Sequence, residues 1–368
     1  MLADIEELVT CESPSTDLAA VAASADVVAR VGTRRLGVAP ERIVLDGWTH
    51  LRWRFGEGAA RVLLLGHHDT VWPLGSLATH PFDVTDGILR GPGCFDMKTG
   101  VVMAFHAIAA LPDRTGVTLL VTGDEELGSH SSRALIEAEA EGCAGALVLE
   151  ASADGGALKT ERKGVSLYRV RVHGLAAHAG LEPERGINAA VELAHQILAV
   201  NELGDPALGT TVTPTLMSAG TTTNTVPAAG EFAVDVRART VAEQERVDKA
   251  MHALTPVLGN ARLEVTGGPN RPPLEAAASA ELFALATELS PEPLSSASVG
   301  GASDGNFTAG IGVPTLDGLG AVGGGAHADN EHVIVSALPG RTALVSALVR
   351  ELLAGRTNPA ATSRRRRP

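Results

Sequence analysis

Five side chains of the kinds that bind metal ions are widely separated in the sequence. They comprise two histidines and three carboxylates: His67, Asp96, Glu126, Glu150 and His327. Imidazole and carboxylate ligands without thiolate suit zinc, cobalt or manganese. Two such ions about 3.5–4 Å apart need a ligand that binds both of them, and a carboxylate such as Asp96 can bridge whereas a histidine cannot. The residue types therefore predict a two-metal site, provided that the fold brings them together.

The adjacent acids Glu125 and Glu126 add a second chemical function. In a loop, both carboxylates can reach one cavity. One of them can then bind a metal, while the other accepts a proton from a water whose pKa the metal lowers to about 7. A solvated acidic turn is the alternative interpretation of this pair taken alone. Asp69 lies close enough to His67 in sequence to accept its second ring N–H and fix its tautomer.

Predicted strands place most of these residues at one edge of a sheet. Apolar runs that predict buried strands are 60–65, 117–122 and 144–149. Helices are predicted between them, over 97–111 and 132–141. This alternation indicates an α/β fold with a mostly parallel sheet and helices on both faces. His67, Glu125 and Glu150 each follow a strand, at the edge where such sheets bind ligands.

The segment 165–268 has a different order of elements. Its predicted strands are 165–173, 210–218, 230–237 and 261–266, and its predicted helices are 186–201 and 241–258. This β-α-β-β-α-β order predicts an inserted ferredoxin-like domain. The α/β pattern resumes with helices 279–289 and 338–353 and strand 313–319. We therefore predict a discontinuous catalytic domain, 1–164 and 269–357, and a basic, disordered tail over 358–368.

Composition limits the classes of partner. The net charge of -13 and an aromatic content of 3% argue against a nucleic-acid surface. Cys11, Cys94 and Cys143 are too few and too widely spaced to predict a disulfide framework or a thiolate zinc site. Residues 1–10 carry three acids and lack a signal-peptide pattern, and no apolar run approaches the ~20 residues of a membrane helix. We expect a cytoplasmic protein that binds neither nucleic acid nor membrane.

Several motifs in combination resemble one known family. They are GHHDTV at 66–71, GPGCFDMKTG at 91–100, TGDEELGS at 122–129, GLAAHAG at 174–180 and TNTVP at 223–227. The chain resembles the M20 metallopeptidases, which include glutamate carboxypeptidase, aminoacylases, acetylornithine deacetylase and succinyl-diaminopimelate desuccinylase. The resemblance runs from about residue 5 to residue 353. Cys94 and Phe95, before Asp96, depart from the small or polar residues common there.

The resemblance implies a role for each metal ligand. His67 and Glu150 would bind one ion, Glu126 and His327 the other, and Asp96 would bridge the two. The implied cofactor is a pair of Zn2+ ions per subunit, with Co2+ or Mn2+ as alternatives.

The resemblance also implies the catalytic residues. Glu125 would be the general base that takes a proton from the bridging water and later returns it to the departing amine, and Asp69 would orient His67. His178, on the inserted dimerisation and lid domain, would reach the active site of a partner subunit and help to bind the oxyanion, so a homodimer is implied. The alternative for His178 is an interface histidine without catalytic effect.

Substrate recognition is implied at further positions. Arg271 resembles the family's carboxylate-binding arginine, which suits an anion because guanidinium binds it bidentately, although an ordinary hinge arginine is the alternative. The remaining substrate contacts implied are Asn224, Arg237, Gly300 and Gly301.

Together these features predict a metal-dependent amide hydrolase. It would release a C-terminal amino acid from a small substrate with a free carboxylate, as glutamate carboxypeptidase does. Alternatives with the same site are an N-acyl-amino-acid deacylase and a dipeptidase. A binding protein that kept the fold but lost catalysis would usually lack Glu125 or one metal ligand, and all of these positions are filled here.

Overall fold

The chain divides into two units in a computed structural model that describes residues 1–356. Unit 1 consists of Met1–Arg162 together with the described residues from Leu274 onward, and unit 2 is Lys163–Pro273. Unit 2 extends beyond the predicted insertion, whose predicted end is residue 268, because its last strand continues to Arg271. The predicted tail, with its basic run Arg364 to Arg367, lies outside the described residues.

Helices and strands alternate through most of the chain. The helices are α1 (Leu2–Val9), α2 (Leu18–Leu36), α3 (Thr99–Ala109), α4 (Arg133–Ala140), α5 (Ala189–Asn201), α6 (Val241–His252), α7 (Ala276–Leu289), α8 (Gly305–Gly310) and α9 (Leu338–Leu353). The strands are β1 (Glu41–Leu45), β2 (Trp48–Arg54), β3 (Val62–His67), β4 (Asp83–Thr85), β5 (Ile88–Arg90), β6 (Val117–Thr122), β7 (Gly145–Val148), β8 (Leu158–Arg162), β9 (Gly164–His173), β10 (Thr211–Ala219), β11 (Ala229–Ala238), β12 (Arg262–Arg271), β13 (Ser296–Val299), β14 (Thr315–Leu316), β15 (Gly323–Gly324) and β16 (His332–Ile334). Within residues 1–356, no helix is both long enough and apolar enough to cross a membrane.

A six-stranded sheet organises unit 1, in the order β1-β2-β6-β3-β7-β14. Strands β6, β3, β7 and β14 run parallel, whereas β1 and β2 form an antiparallel hairpin at one edge. Two smaller sheets, β13-β8 and β15-β16-β5-β4, complete the strands of this unit. The prediction of a mostly parallel sheet is confirmed.

Both faces of this sheet are covered by helices. Strand β3 is buried along its whole length, so its alternate side chains enter two different cores. Leu64 packs in one core with Phe105 of α3. Leu63 points to the opposite face and packs with Ile136 of α4. The double coverage confirms the predicted layer arrangement.

Unit 2 contains an antiparallel sheet in the order β10-β11-β9-β12. Helices α5 and α6 contribute Leu193 and Val247 to a core that also contains Val170 and Phe232 of the sheet. The chain order is β9-α5-β10-β11-α6-β12, which confirms the ferredoxin-like prediction.

Local chemistry explains where elements depart from their predicted ends. Helix α5 begins at Ala189 because the side chain of Asn188 accepts the first free N–H groups. Helix α6 ends at His252, short of residue 258, because Pro256 has no N–H to donate to the carbonyl of His252 and its ring would clash with that carbonyl. The strand predicted over 313–319 is only Thr315–Leu316. The left-handed φ of 75° at Gly318 turns the chain away soon afterwards.

Candidate active site

Parallel strand order brings four of the predicted residues to one sheet edge. His67 is the last residue of β3, Glu125 and Glu126 lie in a short helical turn after β6, and Glu150 follows β7. Because β6, β3 and β7 are neighbours with the same direction, their carboxyl ends meet. Asp96 lies in the turn before α3.

The two carboxylate oxygens of Asp96 face different histidines. Oδ1 of Asp96 lies 3.3 Å from Nε2 of His67, and Oδ2 lies 3.3 Å from Nε2 of His327. Each histidine has a second carboxylate beside the same nitrogen: Oε1 of Glu150 is 3.5 Å from His67, and Oε1 of Glu126 is 3.2 Å from His327. Asp96 therefore belongs to two neighbouring groups of ligand atoms.

These separations fit divalent cations. Two ligand atoms about 2.1 Å from one tetrahedral ion are about 3.4 Å apart, close to the nitrogen–oxygen distances measured in both groups. The first group is buried, since His67 is 1% exposed, whereas His327 is 49% exposed and opens the second group to solvent. Imidazole and carboxylate donors at this spacing suit a pair of borderline metal ions such as zinc.

Local electrostatics also favour positive charge at this position. Hydrogen bonds with Asp96 and Glu126 raise the pKa of His327 to about 10. Burial opposes protonation of His67, but the nearby carboxylates of Asp69, Asp96 and Glu150 outweigh burial and raise its pKa well above the usual value. The carboxylates that stabilise these imidazolium ions would stabilise metal cations in the same way.

Glu125 lies beside the first group. One of its carboxylate oxygens is within 4.8 Å of ligand atoms of His67 and Glu150, and the residue is 7% exposed. This distance fits a proton acceptor next to a metal as well as it fits an additional ligand. The geometry thus fits the prediction that Glu125 accepts a proton while Glu126 binds a metal.

Asp69 connects the first histidine to the acidic turn. Its carboxylate accepts the backbone N–H groups of Glu125 and Glu126, each at 3.2 Å, and the hydroxyl of Ser15 at 2.7 Å. Nδ1 of His67 lies 3.0 Å from the backbone carbonyl of Asp69 and 3.5 Å from its carboxylate. The main-chain oxygen is therefore the better acceptor for the histidine, and the carboxylate positions the turn that carries Glu125.

The neighbouring His68 points away from this group. Its Nε2 lies 3.0 Å from the carbonyl oxygen of Thr49, and its Nδ1 lies 3.2 Å from the hydroxyl of Ser24. Burial lowers the pKa of His68 to about 4, so that its ring is neutral near pH 7. Of the two adjacent histidines, only His67 faces the cluster of carboxylates.

Arg162 holds the second oxygen of Glu150. Its Nη2 donates to Oε2 of Glu150 at 3.2 Å, and its Nε donates to Asp317 at 2.7 Å. Burial acts to lower the pKa of Arg162, but the two carboxylates outweigh it and raise the pKa, so the guanidinium is charged. Nη1 donates to the carbonyl of Gly301 at 3.1 Å, which links the predicted Gly300-Gly301 loop to the same arginine.

We expect Arg162→Ala to destabilise unit 1 strongly. The substitution leaves the carboxylates of Glu150 and Asp317 buried without their guanidinium, which typically costs about 3–5 kcal/mol. Urea unfolding of the metal-free protein would measure the loss. Arg30→Ala removes an exposed pair with Glu7 and should cost about 1 kcal/mol or less. Equal effects of the two substitutions would contradict the role of Arg162.

Two predicted residues of unit 2 lie next to each other. His178 is exposed, and the N–H of the following Ala179 donates to the carbonyl of Asn224 at 2.9 Å. Nδ1 of His178 accepts the N–H groups of Gly180 and Leu181, at 3.1 and 3.2 Å. In the neutral ring the proton is therefore on Nε2, which leaves that nitrogen as a donor.

The two predicted arginines of unit 2 differ in their surroundings. Arg271 ends β12 with 7% exposure, and its backbone carbonyl accepts from the side chain of Gln244 at 2.9 Å. Arg237 donates from Nε and Nη2 to the two oxygens of Asp235, at 2.7 and 2.8 Å. Its guanidinium already has a bidentate partner within β11, which leaves it less available to a substrate carboxylate.

Sequence reasoning missed several polar residues around the site. They are Ser15, Arg162, Glu331 and Asp317, all 4% exposed or less. Asp304, at the end of the predicted Gly300-Gly301 loop, accepts a hydrogen bond from the hydroxyl of Thr122 at 3.1 Å and another from Ser129. Arg162 lies in a run of charged residues that looks solvated in the sequence. Asp317 lies inside the strand predicted over 313–319 rather than after it, so its position at the end of the real strand was hidden. Glu331 had one weak signal, its position four residues after His327.

Comparison with known proteins identifies the family. The model of peptidase family M20/M25/M40 matches residues 63–351. Carboxypeptidase G2 of Pseudomonas sp. strain RS-16 is 33% identical over 318 residues, which cover 82% of this chain and 76% of that protein. Succinyl-diaminopimelate desuccinylase of Dechloromonas aromatica is 30% identical over 356 residues, which cover 86% of this chain and 90% of that protein.

A solved structure shares the fold across almost the whole chain. It is an M20 family metallo-carboxypeptidase from Sulfolobus solfataricus, with a TM-score of 0.71 and 17% identity, covering 95% of this chain and 98% of that one. The match to the family model, together with these relatives, shows that the chain belongs to peptidase family M20/M25/M40 and is a metal-dependent hydrolase of peptide or acyl-amide bonds.

Proposed function

We propose that this hydrolase uses a pair of zinc ions to release a C-terminal amino acid from a small substrate with a free carboxylate. One observation carries the proposal: the two oxygens of Asp96 face His67 and His327 separately, with Glu125 beside the first of them. The sequence likeness to carboxypeptidase G2 supports the choice of a carboxypeptidase.

The chain's own residues would hold the two metals in the predicted sets. His67 and Glu150 would bind one ion, His327 and Glu126 the other, and Asp96 would bridge them. Such ions polarise a carbonyl group and lower the pKa of a water molecule. Arg162 would keep Glu150 oriented through its free oxygen, which lies 3.2 Å from the guanidinium.

Glu125 would move the proton in this reaction. It would accept a proton from the attacking water and later donate it to the nitrogen of the departing amino acid. Asp69 would keep Glu125 in place, because its carboxylate accepts the backbone N–H of that residue at 3.2 Å. The low exposure of Glu125 limits competition from bulk water.

Recognition of the substrate depends on residues of unit 2 whose roles stay predictions. We propose that Arg271 binds the free carboxylate and that Asn224 supports it, while the pairing of Arg237 with Asp235 weakens the case for that residue. A donor on Nε2 of His178 suits the predicted stabilisation of a carbonyl oxygen. The predicted homodimer and cytoplasmic location likewise stay predictions.

An N-acyl-amino-acid deacylase is the second candidate function. The observation in its favour is the relative from Dechloromonas aromatica, a desuccinylase that is 30% identical to the chain. Both reactions cleave an amide bond, and both can leave a free carboxylate on the amino acid released. The site in unit 1 suits either reaction, since the metals and the base act on the same bond.

A matched substrate panel would test the proposal. Dipeptides and N-acyl amino acids with the same C-terminal residue would be compared with added zinc or cobalt, together with their C-terminal amides. We expect hydrolysis of the free acids and much weaker hydrolysis of the amides. An amide has no negative charge, so the guanidinium proposed to bind the substrate carboxylate would be left without its partner. Preference for succinyl or acetyl substrates would favour the deacylase. Equal cleavage of acids and amides would contradict recognition of a free carboxylate.

A further inference from the structure

One hairpin loop contacts Asp96 through two different residues. The loop 325–331 joins β15 to β16, and it carries both His327 and Glu331. Backbone bonds close it, from Glu331 N–H to the carbonyl of Ala328 at 2.9 Å and from Ala328 N–H to Gly325 at 3.0 Å. His327 faces the side chain of Asp96, whereas Glu331 faces its backbone.

The carboxylate of Glu331 accepts hydrogen bonds from four donors. Oε1 accepts the backbone N–H groups of Phe95 at 2.8 Å and Asp96 at 3.0 Å. Oε2 accepts the backbone N–H of Gly93 at 3.0 Å and the indole N–H of Trp72 at 2.6 Å. A carboxylate offers about four acceptor positions, so these donors use all of them. Burial raises the pKa of Glu331, while the hydrogen bonds act in the opposite direction.

This arrangement explains why a buried acid lies next to an already acidic centre. Glu331 is 3% exposed, and its four donors are all uncharged N–H groups, so neutral hydrogen bonds satisfy the buried carboxylate. Three backbone N–H groups of the turn 93–96 point toward Glu331. A neutral amide side chain has one acceptor oxygen and could accept hydrogen bonds from only some of these groups. Gly93 is needed in this turn, because its φ of 69° is left-handed and a Cβ there would collide with Thr70.

We infer that Glu331 is a positioning residue that sets the place of the bridging carboxylate relative to His327. Because the two residues share one short loop, the backbone of Asp96 is held at a fixed distance from the histidine that its Oδ2 faces. Removing Glu331 frees the turn 93–96, so that Asp96 no longer presents its two oxygens at the correct spacing. The inference rests on the proposed function insofar as it takes Asp96 to be a metal ligand.

Metal affinity and amide exchange together test this role. Glu331→Ala removes all four acceptors, and Glu331→Gln keeps one carbonyl oxygen for two donors. We expect zinc affinity, measured by competition with a chromophoric chelator, to fall about 10–100-fold in Glu331→Ala and less in Glu331→Gln. In the metal-free variants, the amides of Gly93, Phe95 and Asp96 should exchange with deuterium faster than in the metal-free wild type. The increase should be larger in Glu331→Ala than in Glu331→Gln.

Two matched variants separate positioning from general stability. Glu192 is also a buried acid that accepts backbone N–H groups, those of Val257 and Leu258, but it lies in unit 2. Glu192→Gln should leave zinc affinity unchanged while altering the stability of unit 2. Trp72→Phe removes only the indole donor and leaves the three backbone bonds to Glu331, so zinc affinity should change less than in Glu331→Gln.

The outcomes are distinct. Faster amide exchange with unchanged zinc affinity in both Glu331 variants would overturn the inference, since Glu331 would then be merely structural. Unchanged amide exchange in the turn 93–96 would overturn the inference as well. If Glu331→Ala fails to fold, both measurements are made on Glu331→Gln. A separate measurement on Asp96→Asn tests the proposed function: normal binding of two metals by that variant would overturn the assignment of Asp96 as the bridging ligand, whatever the exchange rates of the Glu331 variants.

Discussion

Replacing Glu125 with glutamine is expected to lower kcat by about 10²–10⁴-fold, the usual contribution of a general base, while two metal ions still bind. Glutamine keeps the size of the side chain but cannot accept the proton of the attacking water. Its backbone N–H still donates to Asp69, so the turn should keep its shape. Turnover of the best free-acid substrate and metal content by elemental analysis would be measured on the same preparation.

Glu126→Gln is the matched control for this prediction. The two residues are adjacent, and both backbone N–H groups donate to Asp69 at 3.2 Å, but only Glu126 lies beside Nε2 of His327. We expect Glu126→Gln to lower metal content. Loss of metal from Glu125→Gln would make Glu125 a ligand, and near-normal turnover would exclude it as the base.

The second large effect is expected from Asp96→Asn, which should reduce bound metal from about two ions per chain to about one or fewer and abolish turnover. An amide has one good acceptor oxygen and no charge, so it cannot replace a carboxylate whose two oxygens face two histidines. Metal content after dialysis against a weak chelator would measure the loss.

Asp329→Asn controls for the change of charge. Asp329 is in the same hairpin loop as His327, and its side chain is 94% exposed. We expect this variant to keep both metals and near-normal turnover. If Asp96→Asn also kept two metals, the assignment of Asp96 as the bridge would be wrong, and His67 and His327 would have to bind their ions without it.

Strong local patterns allowed much of the fold to be predicted. The apolar runs that became β3, β6 and β7, and the polar residues directly after them, indicated the sheet edge at which His67, Glu125 and Glu150 lie. The short edge elements around β4, β5, β15 and β16 were not predicted. They consist of two or three residues each, which is too short for a period-two pattern to stand out.

The residue types available for chemistry could be read directly from the chain, and the family motifs assigned roles to them. Which of their atoms come together depends on the folded arrangement. His67 and His68 are adjacent, yet only the first faces the carboxylates, because successive side chains of an extended segment point to opposite sides. Glu331 and Arg162 look like ordinary surface charges in the sequence. Their importance follows from burial, because a buried charge needs a hydrogen-bond or ionic partner. Those partners are distant in sequence: the backbone N–H of Asp96 donates to Glu331, and Arg162 donates to the carboxylate of Asp317.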